Sequence, residues 1–180
     1  MKAACVVAHP DDCIIFARPF IDRYCDWQWH IFYLTYELYQ PRVQEMSAYW
    51  HQQRKIPVTS LGYYDTHLDI ENNNISFNKQ QAAKEIQSIV ENFDIVLTHN
   101  ADGDYGHIHH KFVSESLAII DKPIVYFANY PQANLEIVAT SKLDLEQFPL
   151  HKEVIANFIE LDKGRYYISD KVRELINVQT

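Results

Sequence analysis

A three-layer α/β sandwich around a mainly parallel sheet is the fold class this sequence predicts, on three observations. Short apolar, β-branched runs recur at Ala3 to Val7, Trp29 to Tyr36, Val58 to Leu61, Asp94 to Thr98 and Ile124 to Phe127. Between them lie segments whose apolar residues fall three and four apart, the spacing of one helix face. No repeat, low-complexity stretch or composition break interrupts the 180 residues, so one domain over 1–180 is expected. Strands alternating with helices imply parallel strands joined by crossovers, with helices over both faces.

Taken in order, Ala3 to Val7 is a fully buried strand, and Pro10 to about Tyr24 is the helix after it, with Pro and Asp where a helix start accepts them. After the second strand, Pro41 opens a helix to about Lys55 on which Val43, Met46 and Trp50 share a face. The third strand runs into Gly62-Tyr63-Tyr64-Asp65, and Asn72-Asn73-Asn74 marks a turn before a helix carrying Ala82, Ile86, Ile89, Val90 and Phe93. His107 to about Ile120 is the helix after strand four, with Val113, Leu117 and Ile120 inward. Beyond strand five, Asn134 to Ala139 suits an added strand, His151 to Leu161 a helix, and Lys171 to Val178 a short closing helix. The three tryptophans, Trp27, Trp29 and Trp50, are read as packing residues.

Net charge −8 and a pI near 5.5 give no broad basic surface, which disfavours nucleic acid or anionic lipid and leaves a small molecule as the expected partner. Cys5, Cys13 and Cys25 lack disulfide-framework spacing, which suits a reducing compartment, and no apolar run is long enough to span a bilayer. A cytoplasmic protein is expected. Without a GxGxxG or Walker-type loop, a nucleotide cofactor held by a Gly-rich turn is not supported.

Two segments stand at predicted strand ends, Ala8-His9-Pro10-Asp11-Asp12 and Gly103-Asp104-Tyr105-Gly106-His107-Ile108-His109-His110. In open α/β sheets that edge is where ligands bind. Two of the four glycines lie in the second segment, where backbone must bend sharply or approach something closely. His107 and His110, three apart, share one face of a helix, whereas His109 points elsewhere. A catalytic zinc site keeps three protein ligands and one open position, and two His with one carboxylate is an established set. If His9, Asp12 and His110 take the metal, Asp11 and His107 stay free beside it, one as a base for water and one to meet developing negative charge. Amide hydrolysis requires that division.

These motifs resemble those of the PIG-L/LmbE-like metal-dependent de-N-acetylases, whose signatures are A-H-P-D-D and G-x-Y-G-H-x-x-H. Arg42-Val43-Gln44-Glu45 is similar to the family's R-x-x-E helix start, and Leu61-Gly62-Tyr63-Tyr64-Asp65 to its third-strand exit, so the likeness covers roughly residues 3 to 128. The resemblance implies a Rossmann-like sandwich with zinc, or ferrous iron or another divalent metal, on His9, Asp12 and His110. It further implies Asp11 as general base, His107 as acid or electrostatic partner, Tyr105 at the oxyanion, and Arg42 and Asp65 on the sugar. The expected reaction removes acetyl from the 2-acetamido group of an N-acetylglucosamine-like sugar or conjugate.

Two positions depart from the pattern. Cys13 stands where the family usually has Glu, and Ile108-His109 replaces the more usual Pro-Asp, which leaves His109 as an extra base or spare ligand. The chain is short for the family, so an open cleft or a homo-oligomer completing the site is also expected. Two other readings remain open: a non-catalytic carbohydrate-binding or assembly protein on the same fold, and a metal-dependent hydrolase of another bond such as a phosphoester.

Overall fold

The structure, a computed structural model, describes residues 1–128, 135–158 and 163–177. Five strands, β1 (Lys2–Val7), β2 (Gln28–Thr35), β3 (Val58–Tyr63), β4 (Ile95–Thr98) and β5 (Ile124–Phe127), pair in parallel. β6 (Leu135–Ala139) and β7 (Lys163–Ile168) complete a seven-stranded sheet in the order β3-β2-β1-β4-β5-β7-β6, with β7 antiparallel to both neighbours. From β1 the chain winds outward through β2 and β3, then returns to lay β4 and β5 on β1's other side. The order therefore reverses between β1 and β4, the place where such sheets open a crevice at their carboxyl ends. In register, Val6 pairs with Phe32 on one side and Thr98 on the other, so β1 and β4 end level with each other.

Side-chain alternation along β1 divides the core. Ala3, Cys5 and Val7 pack with Ile31, Tyr33, Phe20 and Trp50 on one face, while Ala4, Val6 and Ala8 pack with Phe32, Leu34, Ile86 and Val113 on the other. The first layer includes α1 (Arg18–Arg23), α2 (Pro41–Ala48) and the closing helix α8 (Asp170–Asn177), and the second α4 (Lys79–Val90) and α6 (Ile108–Ala118). Burying each large aliphatic side chain contributes about 1.5–3 kcal/mol before the entropy of ordering it is subtracted. Trp27, Trp29 and Trp50 are all buried, as packing residues should be.

Several boundaries differ from the sequence reading. The first helical segment begins with a π-helical turn at Cys13–Ala17, because Pro10 to Asp12 form a tight turn that aims side chains at the crevice. The helix expected from Pro41 to Lys55 is regular only to Ala48 and passes through a second π-helical turn at Tyr49–Gln53. A short helix α3 (His67–Glu71), capped by the Thr66 hydroxyl on the Asp69 N–H, precedes the Asn72 turn. Five residues are too few to show a helical period. β7 was equally hidden, since Lys163–Ile168 buries only alternate residues, Gly164, Tyr166 and Ile168. An added Cβ at Gly164 would run into the Tyr166 ring, whose hydroxyl donates to the Phe16 carbonyl at 2.7 Å and accepts from the Phe20 N–H at 3.1 Å. The helix expected from His151 is α7 (Lys152–Ala156), and its expected end at 159–161 lies outside the described residues, as do Asn134 and Val178. Cys5, Cys13 and Cys25 are all free. No helix among the described residues is long and apolar enough to cross a membrane.

Candidate metal centre and substrate cleft

Both predicted segments leave the sheet at the crevice. After β1, the Ala8 carbonyl accepts from the Thr35 N–H at 3.0 Å and the Thr35 hydroxyl at 2.8 Å, while the Ala8 N–H donates to His99 Nε2 at 2.9 Å. The turn closes with the His9 N–H donating to Asp12 Oδ2 at 2.8 Å, which aims the Asp12 carboxylate back under the His9 ring. After β4, Asn100 Oδ1 accepts the N–H groups of Asp102 and Asp104, at 2.9 and 3.1 Å, and forms the tight turn α5 (Gly103–Gly106). Gly103 at φ +70° and Gly106 at φ +96° supply left-handed backbone, and a Cβ on Gly103 would lie 2.7 Å from Lys111 Cγ. Asp104 adopts φ +61° without that freedom, a strain that clusters at functional sites. The turn delivers His107 as N-cap of α6, its Nδ1 accepting from the His109 N–H at 3.2 Å.

His9 Nδ1, Asp12 Oδ2 and His110 Nε2 form a triangle with every edge 3.2 Å. Donors held tetrahedrally at zinc–ligand distances would stand about 3.3 Å apart, so the triangle has the size of one coordination face. Protonation states point the same way. Asp104 accepts from His110 Nδ1 at 2.9 Å, which leaves His110 Nε2 with a bare lone pair. Asp69 accepts from His109 Nε2 at 2.9 Å, so in the neutral ring Nδ1 is the acceptor and takes the proton of His9 Nε2 at 3.2 Å. His9 Nδ1 is thereby bare as well. Burial and the nearby His9 hold His109 below its ordinary value despite Asp69, which keeps that ring neutral. Two imidazole lone pairs and a carboxylate oxygen converge with no proton between the rings, an arrangement that suits a divalent cation. The outer carboxylates set which nitrogen of each ring faces it.

Correction is needed at His109. It does not point elsewhere: it is fully buried, its ring lies 5.4 Å from that of His9, and it belongs to the wall of the site. The helix starts at Ile108 rather than His107, and Asp69 on α3 draws the ring inward. His99, which follows β4 directly, and Asp104 were also given no role by sequence. The His99 and His110 rings stack at 3.8 Å, both nitrogen-bonded to the Asp104 carboxylate. Burial disfavours a charged His99, whereas the Asp104 and Asp12 carboxylates favour one. The Ala8 N–H at 2.9 Å nevertheless requires an Nε2 lone pair, so we assign the ring as neutral with its proton toward Asp104. Position immediately after a strand was the signal available for His99. Asp69 had none, because its helix was too short to register.

The remaining predicted residues line a cleft of about 520 Å³ beside the triangle. Its walls include His9, Asp11, His107, Tyr105, Arg42 and Asp65, whereas Asp12 and His110 are buried behind. Asp11 Oδ2 lies 3.9 Å from Arg42 Nη2. Asp65 accepts from the Tyr36 hydroxyl at 2.5 Å and lies 3.5 Å from His109 Nδ1 and 3.9 Å from His9 Nε2. Burial, with His9 and His110 close by, depresses His107 to about 3, so its ring is neutral and its proton sits on Nε2, opposite the capped Nδ1. Burial and the Asp12 and Asp11 charges raise the Tyr105 phenol far above its ordinary value, leaving it a neutral donor. Cys13 sits beneath the turn, its thiol donating to the Pro10 carbonyl at 2.9 Å and accepting from Trp50 Nε1 at 2.9 Å. Burial raises it to about 12, so at this position a neutral thiol replaces the family's usual carboxylate.

Comparisons with known proteins bear on the fold and the family. A mimivirus relative from Acanthamoeba polyphaga mimivirus, the uncharacterized protein L374, is 36% identical over 66 residues, 34% of this chain but only 29% of its own length. The A40926 pseudoaglycone deacetylase Dbv21 shares the fold with TM-score 0.54 at 12% identity, over 93% of this chain and 96% of that one. The N,N'-diacetylchitobiose deacetylase of Pyrococcus horikoshii does so with TM-score 0.53 at 16% identity, over 89% of this chain and 68% of that one. The sequence matches the PIG-L family, GlcNAc-PI de-N-acetylase, over residues 4–120, a span holding every residue of the triangle and of the cleft wall named above. The chain therefore belongs to the PIG-L family.

Proposed function

We propose that the protein is a zinc-dependent, cytoplasmic de-N-acetylase that hydrolyses the 2-acetamido group of an N-acetylglucosamine-like sugar or conjugate to free amine and acetate. The observation that carries this reading is the 3.2 Å triangle of His9, Asp12 and His110, beside a cleft lined by His9, Asp11, His107, Tyr105, Arg42 and Asp65. Zinc held there would lower the pKa of water to about 7 and polarise the acyl oxygen. Asp11 faces the cleft and takes the proton of the attacking water. His107 Nε2–H and the Tyr105 hydroxyl donate to the oxygen that gains negative charge, as preorganised neutral donors. The proton held by Asp11 passes to the departing amine as the C–N bond breaks, so acid and base duties close on one carboxyl. Arg42 and Asp65 offer a donor and an acceptor to sugar hydroxyls, and the exposed Tyr64, Leu68 and Ile70 give the rest of a conjugate an apolar rim.

Acetate release from N-acetylglucosamine conjugates, measured with and without added metal, tests the reading. Metal-dependent acetate is expected. Phosphate release from phosphoesters instead, or binding of acetamido sugars without acetate, would replace it with one of the other two readings.

A further inference from the structure

His151 lies outside the family-matched span, yet it is fully buried and reaches into the substrate wall of the cleft. Glu45, one turn along α2 from Arg42, binds the 150–151 segment with both oxygens: Oε1 accepts from the Leu150 N–H at 2.8 Å and Oε2 meets His151 Nδ1 at 2.5 Å. A carboxylate there fixes the His151 proton on Nδ1 and leaves Nε2 as an acceptor. That lone pair takes the Arg42 Nε–H at 3.1 Å. With Nε committed, the guanidinium plane is set, and its two terminal nitrogens face the cleft, one 3.5 Å from the Tyr36 hydroxyl and the other 3.9 Å from Asp11 Oδ2. Tyr36 itself is held at φ +65°, with the Arg42 guanidinium 5.5 Å above its ring. Arg is long and would otherwise sample many rotamers in a cleft where its side chain is 39% exposed.

We propose that His151 is a positioning residue for substrate recognition: through the Glu45–His151–Arg42 chain it presents the Arg42 guanidinium to the sugar. The inference rests on the cleft being the acetamido-sugar site. A purely structural His151 would pin the 148–151 segment to α2 and nothing more. The two roles separate in a double-mutant cycle, since an effect transmitted through Arg42 vanishes once Arg42 is gone.

In the metal-loaded enzyme, His151→Ala should raise KM for the acetamido sugar about tenfold, the loss expected for one hydrogen bond to a charged group, with kcat changed far less. His151→Gln, whose side-chain carbonyl can accept from Arg42, should recover much of it. In an Arg42→Ala background His151→Ala should add nothing. Nitrogen-15 NMR of the arginine side chains reads the same link without turnover: a protected Arg42 Nε–H is expected in the native chain and should be lost in His151→Ala. Additive losses in the cycle, a fall confined to kcat, or an unchanged Arg42 Nε–H signal would overturn the proposal. If no acetamido sugar is turned over, the NMR outcome still decides the His151–Arg42 link while the proposed reaction falls on its own.

Discussion

On the β1 and β4 side of the cleft, His9, Asp12 and His110 are nearly sealed from solvent and meet at 3.2 Å, and the two imidazoles have their tautomers set by further buried partners, His109 and Asp104. On the α2 and α3 side, Arg42 is partly exposed and approaches Tyr36 and Asp11 only at 3.5 and 3.9 Å, while Tyr64, Leu68 and Ile70 lie open at the rim. One wall is sealed, while the other is open, with Arg42 pinned from behind by His151 and an exposed apolar rim. A cation demands fixed donors within a few tenths of an ångström, whereas a sugar with many hydroxyls tolerates side chains that settle as it binds. In the proposed function, chemistry and recognition are carried by separate walls, which meet at Asp11.

If that division is right, damage to the two walls should differ in kind. Asp11→Asn removes the base and keeps the shape, so kcat should fall by about 10²–10⁴-fold with metal content unchanged in elemental analysis. Loss of metal in that variant would move Asp11 into the metal wall. Asp104→Asn leaves every proposed ligand in place but weakens the partner that orients His110, and metal affinity should drop about 10–100-fold in a competition titration. Arg42→Lys keeps the charge and loses the fork and the Nε bond to His151, so kcat/KM should fall on the order of tenfold, mostly through KM. Metal affinity unaffected by Arg42→Lys but reduced by Asp104→Asn is the signature of independent walls.

The smallest expected effect concerns acid stability. Burial would raise the Asp69 carboxyl, but bonds from His109, Thr66 and Ser76 hold it below its ordinary value. A depressed folded pKa means the charged form contributes stability fully above the unfolded value of about 3.9, and that contribution is lost as pH falls through the folded value. Asp69→Asn should therefore be less stable at neutral pH and lose stability less steeply on acidification, as read from denaturant midpoints across pH 2.5 to 6. An unchanged acid slope would mean that Asp69 is not ionised against His109.

Much of the His9, Asp12 and His110 triangle was legible because each half of it is local. His9 and Asp12 lie within one four-residue turn and His110 within one motif, and each follows a strand whose apolar run announces it. The supporting shell was less so. Asp69 and His151 act across 40 and 109 residues, on His109 and Arg42, and nothing in their own neighbourhoods marks them. Helical spacing counted from His107 puts His109 on the wrong side, because His107 is a cap with extended backbone rather than a helical residue. The parallel core strands could be read from apolar runs, whereas β7, half-buried and antiparallel at the C-terminal side, carries too weak an alternation over six residues to stand out. Tertiary pairing decides such elements, not local pattern.

On the proposed function, His9, Asp12 and His110 jointly hold one divalent cation. Anomalous diffraction from crystals of the zinc-loaded protein, compared with crystals of Asp12→Ala, tests it most directly. One strong peak is expected within about 2.0–2.3 Å of His9 Nδ1, Asp12 Oδ2 and His110 Nε2 in the native protein, and none there in the variant. A peak held by other residues, or one that persists undiminished in Asp12→Ala, would contradict it.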